Sequence, residues 1–473
     1  MAAPQAETSP IQGTFLLDDS DAESAAPTDP SVTYGAEPFA TFRNRIHELT
    51  INVIWPNAAS DQITIERLTS GGYNRTFGIT WDVDNHKLQH VVRVPWFADD
   101  DYAAQVAPLD FVAKYTKIPT AKIIQYDTTT ENPLESPYMI QDRVSGVGLA
   151  SLVDNKIPPH GWQKLAKELG DITRQMMSTR STVAGTIVLS PDGLRGLHVA
   201  PFRTSPEASP AETSRPYTPC GPSQISSQSV ASLLINMFEF QRQKELDQGP
   251  YVVDFPGPWH GFITMTKKLE EMGYFQDVDY CLCHLNLFPR NVIVDPSVFG
   301  TLNKKNKIAA ILDWDSALLA PTFMACRPPA WLWNNEQLLE ESFDESETKT
   351  KVEPSTEEGA EIKRIFDEAA GETYMFFAYN PVYKVARRLF QFGMTGISRA
   401  DEFKMAHDLW DEWGVMKEGG GSTKGDGLTT EQLVAQAVGE EGPQSHPVLT
   451  SEKKKEGLRR NWKKRLKKRC IVM

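Results

Sequence analysis

At 473 residues the chain exceeds one average domain, and its 40% hydrophobic and 23% charged content excludes a wholly disordered or fibrous protein. No apolar run approaches the roughly 18 residues a membrane-spanning helix requires, and the N-terminus lacks the basic and apolar regions of a secretory signal, so the chain is expected in the cytosol. The net charge of −13 is unevenly spread: residues 453–469 hold eleven Lys/Arg against one Glu, a local +10 that leaves 38 basic against 61 acidic residues elsewhere. An acidic body argues against nucleic acid as a partner, whereas a basic tail suits an anionic surface such as the cytoplasmic leaflet.

Residues 1–38 are rich in Ala, Pro, Ser, Thr and acids without periodicity and are expected to be disordered. From there to about 145 the pattern is strand-rich: Ile63 to Leu68, Phe77 to Val83 and Gln89 to Val94 alternate or run β-branched between Ser-Gly-Gly and Asp-Asn turn signals. Residues 160–182 place Trp162, Leu165, Leu169, Ile172 and Met176 at helical spacing, which predicts an amphipathic helix and opens a mainly helical region. The Pro/Ser/Thr-rich stretch 203–229 reads as an inserted loop and 340–358 as an acidic loop; helical patterns then resume to about 416. Residues 417–452 form a flexible linker to a polybasic tail at 453–473.

Five cysteines (Cys220, Cys281, Cys283, Cys326 and Cys470) form an odd, sparse set that suits reduced thiols. Cys281 and Cys283 read as buried strand residues, because their spacing has no second pair to complete a zinc site.

The richest segment is YCLCHLNLFPRNVIVD, Tyr280 to Asp295, in which an apolar approach leads through a polar loop to a β-branched strand. A second strand and turn, IAAILDWDSA, carries Asp313. Together with Pro289, Arg290 and Pro321, these residues resemble the aminoglycoside-phosphotransferase and choline-kinase-like superfamily, whose loop reads His-x-Asp-x-x-x-x-Asn and whose metal site reads Ile-Asp-Trp.

That resemblance implies an α+β, bilobal protein-kinase-like fold: a small N-terminal antiparallel β-sheet lobe over 39–145 that binds nucleotide, and a larger mainly α-helical C-terminal lobe over 146–416. It further implies ATP or GTP and Mg2+ as cofactors. A transferring phosphoryl group spreads charge over its equatorial oxygens, so magnesium must bridge the phosphates and be held by hard oxygen ligands. Asn291 and Asp313 match those ligands, and His284 matches the histidine that orders the loop. The acid that takes the acceptor's proton is replaced by Asn286, and an amide cannot accept a proton at neutral pH. Asn286 could still orient a hydroxyl, and another acid, such as Asp315, could substitute.

SGGYNRTFGI, with Gly71, Gly72 and Asn74, resembles the family's Gly-rich phosphate loop, in which the backbone approaches phosphates closely. Arg93 stands where the superfamily places a Lys or Arg on the nucleotide phosphates, and a guanidinium grips phosphate in bidentate fashion. AAQVAPLDFVAKY resembles the family's Glu-Val-Ala-x-Leu-x-Phe-Val helix with Gln105 in place of the ion-pairing Glu. Gln105, Leu109 and Val112 share a face, which aims Gln105 at Arg93; Asp110 is the second candidate, and Pro108 disfavours a helix running through it. SPYMIQDRVSG resembles the hinge between lobes, where the backbone near Ile140 to Asp142 would receive adenine.

The chain closes on Cys470-Ile471-Val472-Met473, a C-a-a-X box whose terminal Met favours farnesyl. Stable anchoring needs a second signal, which the adjacent polybasic run supplies. The functions open at this point are a membrane-tethered nucleotide-binding kinase homologue with impaired phosphotransfer, an active small-molecule kinase, and a lipid-anchored scaffold that binds no nucleotide. The acceptor, small molecule or protein, is not legible.

Overall fold

The computed structural model describes residues 33–34, 37–68, 74–83, 86–96, 102–152, 157–189, 197–200, 202, 229–247, 258–295, 308–334, 345 and 352–419. The N-terminal tail to 32, the insert at 203–228, the linker from 420 on, the basic run and Cys470 lie outside them, as do Gly71 and Gly72, while residues 417–419, expected in the linker, continue a helix.

Two short antiparallel strands, Thr33–Tyr34 and Glu37–Pro38, open the described chain inside the stretch expected to be disordered to 38, and a helix follows where the sequence led us to expect strands. In α1 (Phe39–Leu49), Phe39, Phe42, Ile46 and Leu49 recur at helical spacing and all are buried. They lie on a five-stranded antiparallel sheet of β1 (Ile63–Arg67), β2 (Asn74–Val83), β3 (His86–Pro95), β4 (Ile123–Asp127) and β5 (Tyr138–Asp142), ordered β1-β2-β3-β5-β4. Phe77 stacks on Phe39 and Phe42 at centroid separations of 5.9 and 5.3 Å. Strand alternation then positions the site. In β3, Val92 and Val94 enter the upper core, so Arg93 projects from the opposite face; in β5, Ile140 does the same, which turns Met139 and Gln141 towards the lower lobe.

Helix α2 (Tyr102–Tyr115) runs through Pro108 and does not start near it. Burial of Val106, Leu109, Phe111 and Val112 in the main core outweighs the missing hydrogen bond and local crowding. Below it, α3 (Pro159–Ser178) buries Trp162, Leu165, Leu169, Ile172 and Met176, the stripe its spacing predicts. The remaining helices are α4 (Val230–Asp247), α5 (Trp259–Glu271), α6 (Glu357–Ala370), α7 (Glu372–Tyr379), α8 (Pro381–Thr395) and α9 (Ala400–Gly419). At Gly170 a Cβ would stand 2.6 Å from the Phe366 carbonyl and 2.7 Å from the Ala369 Cβ, so this glycine permits α3 and α6 to touch. No helix among the described residues is long and apolar enough to cross a membrane.

Four short strands set the lower half of the site: β6 (Tyr280–Cys283), β7 (Val292–Val294), β8 (Ile308–Ile311) and β9 (Leu318–Pro321). β6 pairs with β9 and β7 with β8, both antiparallel. The loop joining β6 to β7 and the loop joining β8 to β9 are therefore brought side by side. Cys281, Cys283 and Cys326 are buried and free. One residue of the acidic loop departs from a solvated reading: Glu345 is buried, and both its oxygens accept from Arg387 on α8 at 2.7–2.9 Å.

Candidate functional site

The loop after β6 opens with His284, which is almost fully buried. Its Nδ1 accepts from the Asn286 backbone N–H at 3.2 Å, so Nε2 carries the hydrogen and donates to the Leu312 carbonyl at 2.8 Å. The ring stands edge-on to Trp314 with centroids 4.5 Å apart. Burial pushes its pKa down to about 4, against the opposing pull of the Leu312 hydrogen bond, so the ring is neutral at neutral pH. His284 thus ties one loop to the other.

Asn286 is held between two partners of fixed polarity. Arg290 Nη2 donates to its Oδ1 at 3.0 Å, and its Nδ2 donates to Asp313 Oδ2 at 2.6 Å. A guanidinium only donates and a carboxylate only accepts, so the orientation of this amide is not arbitrary. Asn291 Nδ2 donates to the Asn286 carbonyl at 2.9 Å and to Asp313 Oδ2 at 3.3 Å. Asp313 sits at φ 64°, ψ 51°, a left-handed conformation that Asp adopts more readily than most residues. With Leu285 at φ 59°, both loops hold backbone strain beside one carboxylate.

Could these residues hold magnesium? Asn291 commits its Nδ2 and leaves Oδ1, and Asp313 adds a carboxylate, both hard oxygens of the kind Mg2+ takes. Among the described residues no group of three or more His, Cys, Asp or Glu could hold a metal. Two protein oxygens fit an ion that arrives with phosphates and water, not one caged by protein alone.

Arg93 reaches across from β3. Its Nη2 donates to Asp315 Oδ2 at 2.5 Å and its Nη1 to Oδ1 at 3.3 Å, with both side chains largely buried. Burial opposes the Arg93 charge, but Asp315 outweighs it and raises the guanidinium above its ordinary range. Tyr102 Oη donates to the Arg93 carbonyl at 2.9 Å and so fixes the strand against α2. Asp315 is therefore turned to Arg93 and not to the acceptor side of Asn286.

Three sequence expectations need correcting here. Gln105 does not pair with Arg93: its Oε1 accepts from Asn74 Nδ2 at 2.8 Å, which binds the end of the glycine loop to α2. Asp110 pairs with Lys114 one helical turn away. Ile140 has its side chain in the upper core and its backbone paired with β3 on one edge and β4 on the other, so the backbone groups of Ile140 itself are not open to a base. Asp142 faces His90 at 3.8 Å.

Between the lobes lies a cavity of about 240 Å³, lined among others by Arg93, Leu109, Gln141, Asn291, Asp313 and Trp314. Sequence reasoning passed over Gln141, although it alternates with the buried Ile140 and so faces the lower lobe. Its Oε1 is shut off from solvent with no hydrogen-bond partner among the described residues. Asp315 and Arg290 were also missed as organisers, because the partner of one lies 222 residues away on β3 and that of the other 4 residues away across a folded loop.

An antiparallel sheet lobe closing over crossed loops, with a cation above and hard-oxygen ligands below, defines a kinase-like phosphotransferase domain. The model of the Phosphotransferase enzyme family matches residues 64–324, more than half the chain, and the chain belongs to that family. It is 32% identical over 89 residues to a subtelomeric hrmA-associated cluster protein of Aspergillus fumigatus, covering 18% of this chain and 17% of that one. It is 30% identical over 111 residues to altered inheritance of mitochondria protein 9, mitochondrial, of Candida glabrata, covering 22% and 17%. The chain thus matches about a sixth of the length of these curated relatives. Among solved structures, Plasmodium vivax ethanolamine kinase superposes at a TM-score of 0.40 and 12% identity, covering 77% of this chain and 87% of that one.

Proposed function

We propose that the chain is a nucleotide-binding kinase homologue whose phosphotransfer is impaired or lost. The observation that carries this reading is the locked amide of Asn286, which offers N–H to Asp313 and has its oxygen held by Arg290. At the position where family resemblance puts a proton acceptor stands an amide oxygen, which accepts hydrogen bonds but is too weakly basic to take a proton at neutral pH. Arg93, Asn291 and Asp313 keep the chemistry for phosphates and, through them, magnesium, which when bound would neutralise charge on the phosphoryl oxygens. The protein's own part is to hold the nucleotide, orient an acceptor hydroxyl beside Asn286, and keep His284 neutral under the loop. A positioned base contributes ~10²- to 10⁴-fold, so Asn286→Asp is expected to raise ATP turnover by about 10²-fold or more over wild type. An unchanged rate in a folded variant would count against the role given to residue 286.

The C-terminal Cys-Ile-Val-Met and the basic run before it support prenylation and attachment to the cytoplasmic face of a membrane. Cys470→Ser should move the protein from membrane to soluble fractions; unaltered fractionation refutes the anchor.

The Arg93–Asp315 pair favours a second reading, a lipid-anchored scaffold, because it satisfies the phosphate-binding guanidinium internally. Saturable nucleotide binding sinks that reading.

A further inference from the structure

We propose that Gln141 reads the 6-position of a purine nucleotide in either sense, so that 6-amino and 6-oxo purines bind alike. The proposal rests on the nucleotide-binding reading of the same cavity and names what selects its base.

The register of the upper sheet places this residue. Arg93 on β3 lies opposite Met139 on β5, and Val91 lies opposite Gln141. Gln141 is therefore the diagonal neighbour of Arg93 on the face turned to the cavity, about 7–8 Å away between backbones. Ile140 before it points into the upper core and Asp142 after it faces His90, so Gln141 is the polar side chain this strand sends into the cavity. Arg93, Asn291 and Asp313 occupy the charged end of the space, while Leu109, Ala121 and Leu312 line it with apolar surface suited to a planar ring. Phosphates at the charged end leave the base to Gln141.

The amide itself is unused by the fold. Its Oε1 is sealed from solvent without a partner among the described residues, so no hydrogen bond of the fold fixes which end of the amide faces the cavity. Asn286 is clamped in one orientation by Arg290 and Asp313, but nothing comparable holds Gln141. A half-turn about its last bond exchanges acceptor for donor. Oε1 then accepts from the exocyclic amine of adenine, and Nε2 donates to the 6-oxo group of hypoxanthine or guanine.

The test is calorimetric titration of the full chain at pH 8 with the magnesium complexes of ATP, inosine triphosphate and purine riboside triphosphate, which carry 6-amino, 6-oxo and no 6-substituent. Wild type is expected to bind the first two within about threefold and the third about tenfold more weakly, the loss of roughly one hydrogen bond. Gln141→Met keeps the shape without the polar atoms and should bring all three together. Gln141→Glu keeps an acceptor alone and should favour ATP over inosine triphosphate about tenfold. The assignment is overturned if wild type prefers one 6-substituent by more than tenfold, if the unsubstituted purine binds as tightly as ATP, or if Gln141→Met leaves the pattern intact. The wild-type ligand series decides the matter even if a variant fails to fold. Binding that ignores the 6-position overturns Gln141 alone, whereas no binding of any of the three removes the nucleotide reading and this proposal with it.

Discussion

His284 shows how one buried side chain fixes two loops and makes stability depend on pH. Its folded pKa is depressed to about 4, below the ordinary 6.5, so the unfolded chain takes up a proton first as the pH falls. The stability it confers is full above about 6.5 and declines towards about 4, by at most ~1.4 kcal/mol per pH unit. His90 shifts in the same direction through burial and adds to the same trend. Urea denaturation at pH 7.5 and pH 5 should therefore show a steeper loss in wild type than in His284→Asn. Equal losses would mean that the ring is not neutral in the folded protein. At this scale the sequence was informative about identity but not about partners. The spacing of His284, Asn286, Asn291 and Asp313 was legible, yet the pairing of Asn286 with Asp313 depends on two loops crossing, which no local pattern records.

Among elements, the contact of α3 with α6 rests on Gly170. An exposed helical glycine gains about 1 kcal/mol on replacement by alanine, from reduced backbone freedom. Here the new methyl would press on a backbone carbonyl at 2.6 Å, and overpacking of this kind destabilises by ~1–3 kcal/mol. Crowding is the larger effect. Gly170→Ala should lower the urea midpoint, and a raised midpoint would show that the helices separate easily. The amphipathic stripe of α3 and the alternation of β3 and β5 were readable because burial on one face writes a period into the sequence. Helix α1 was not read because its short apolar run resembles a strand, and α2 was obscured by Pro108, whose local penalty is overridden by packing. Gln105 was aimed at Arg93 by helical phase alone; the register of β2 brought Asn74 within reach of it instead.

For the whole molecule, the arrangement separates holding from reacting. Arg93 descends from the upper sheet to Asp315 in the lower lobe, so one ion pair spans the cleft where a nucleotide would lie. A ligand's phosphates must compete with Asp315 for that guanidinium, and the same fork geometry that suits a carboxylate suits them. Below, Asn286 gives Asp313 a neutral donor where a second acid would repel it. Gln105 and Asn286, the two amides that stand where the family resemblance expects acids, leave Arg93, Asn291 and Asp313 together around the cavity. The account stands most directly on equilibrium binding of Mg-ATP to the full chain by titration calorimetry. It predicts saturable, one-to-one binding that weakens at least tenfold in Arg93→Ala, and it is contradicted if wild type shows no saturable heat or if Arg93→Ala binds as well as wild type.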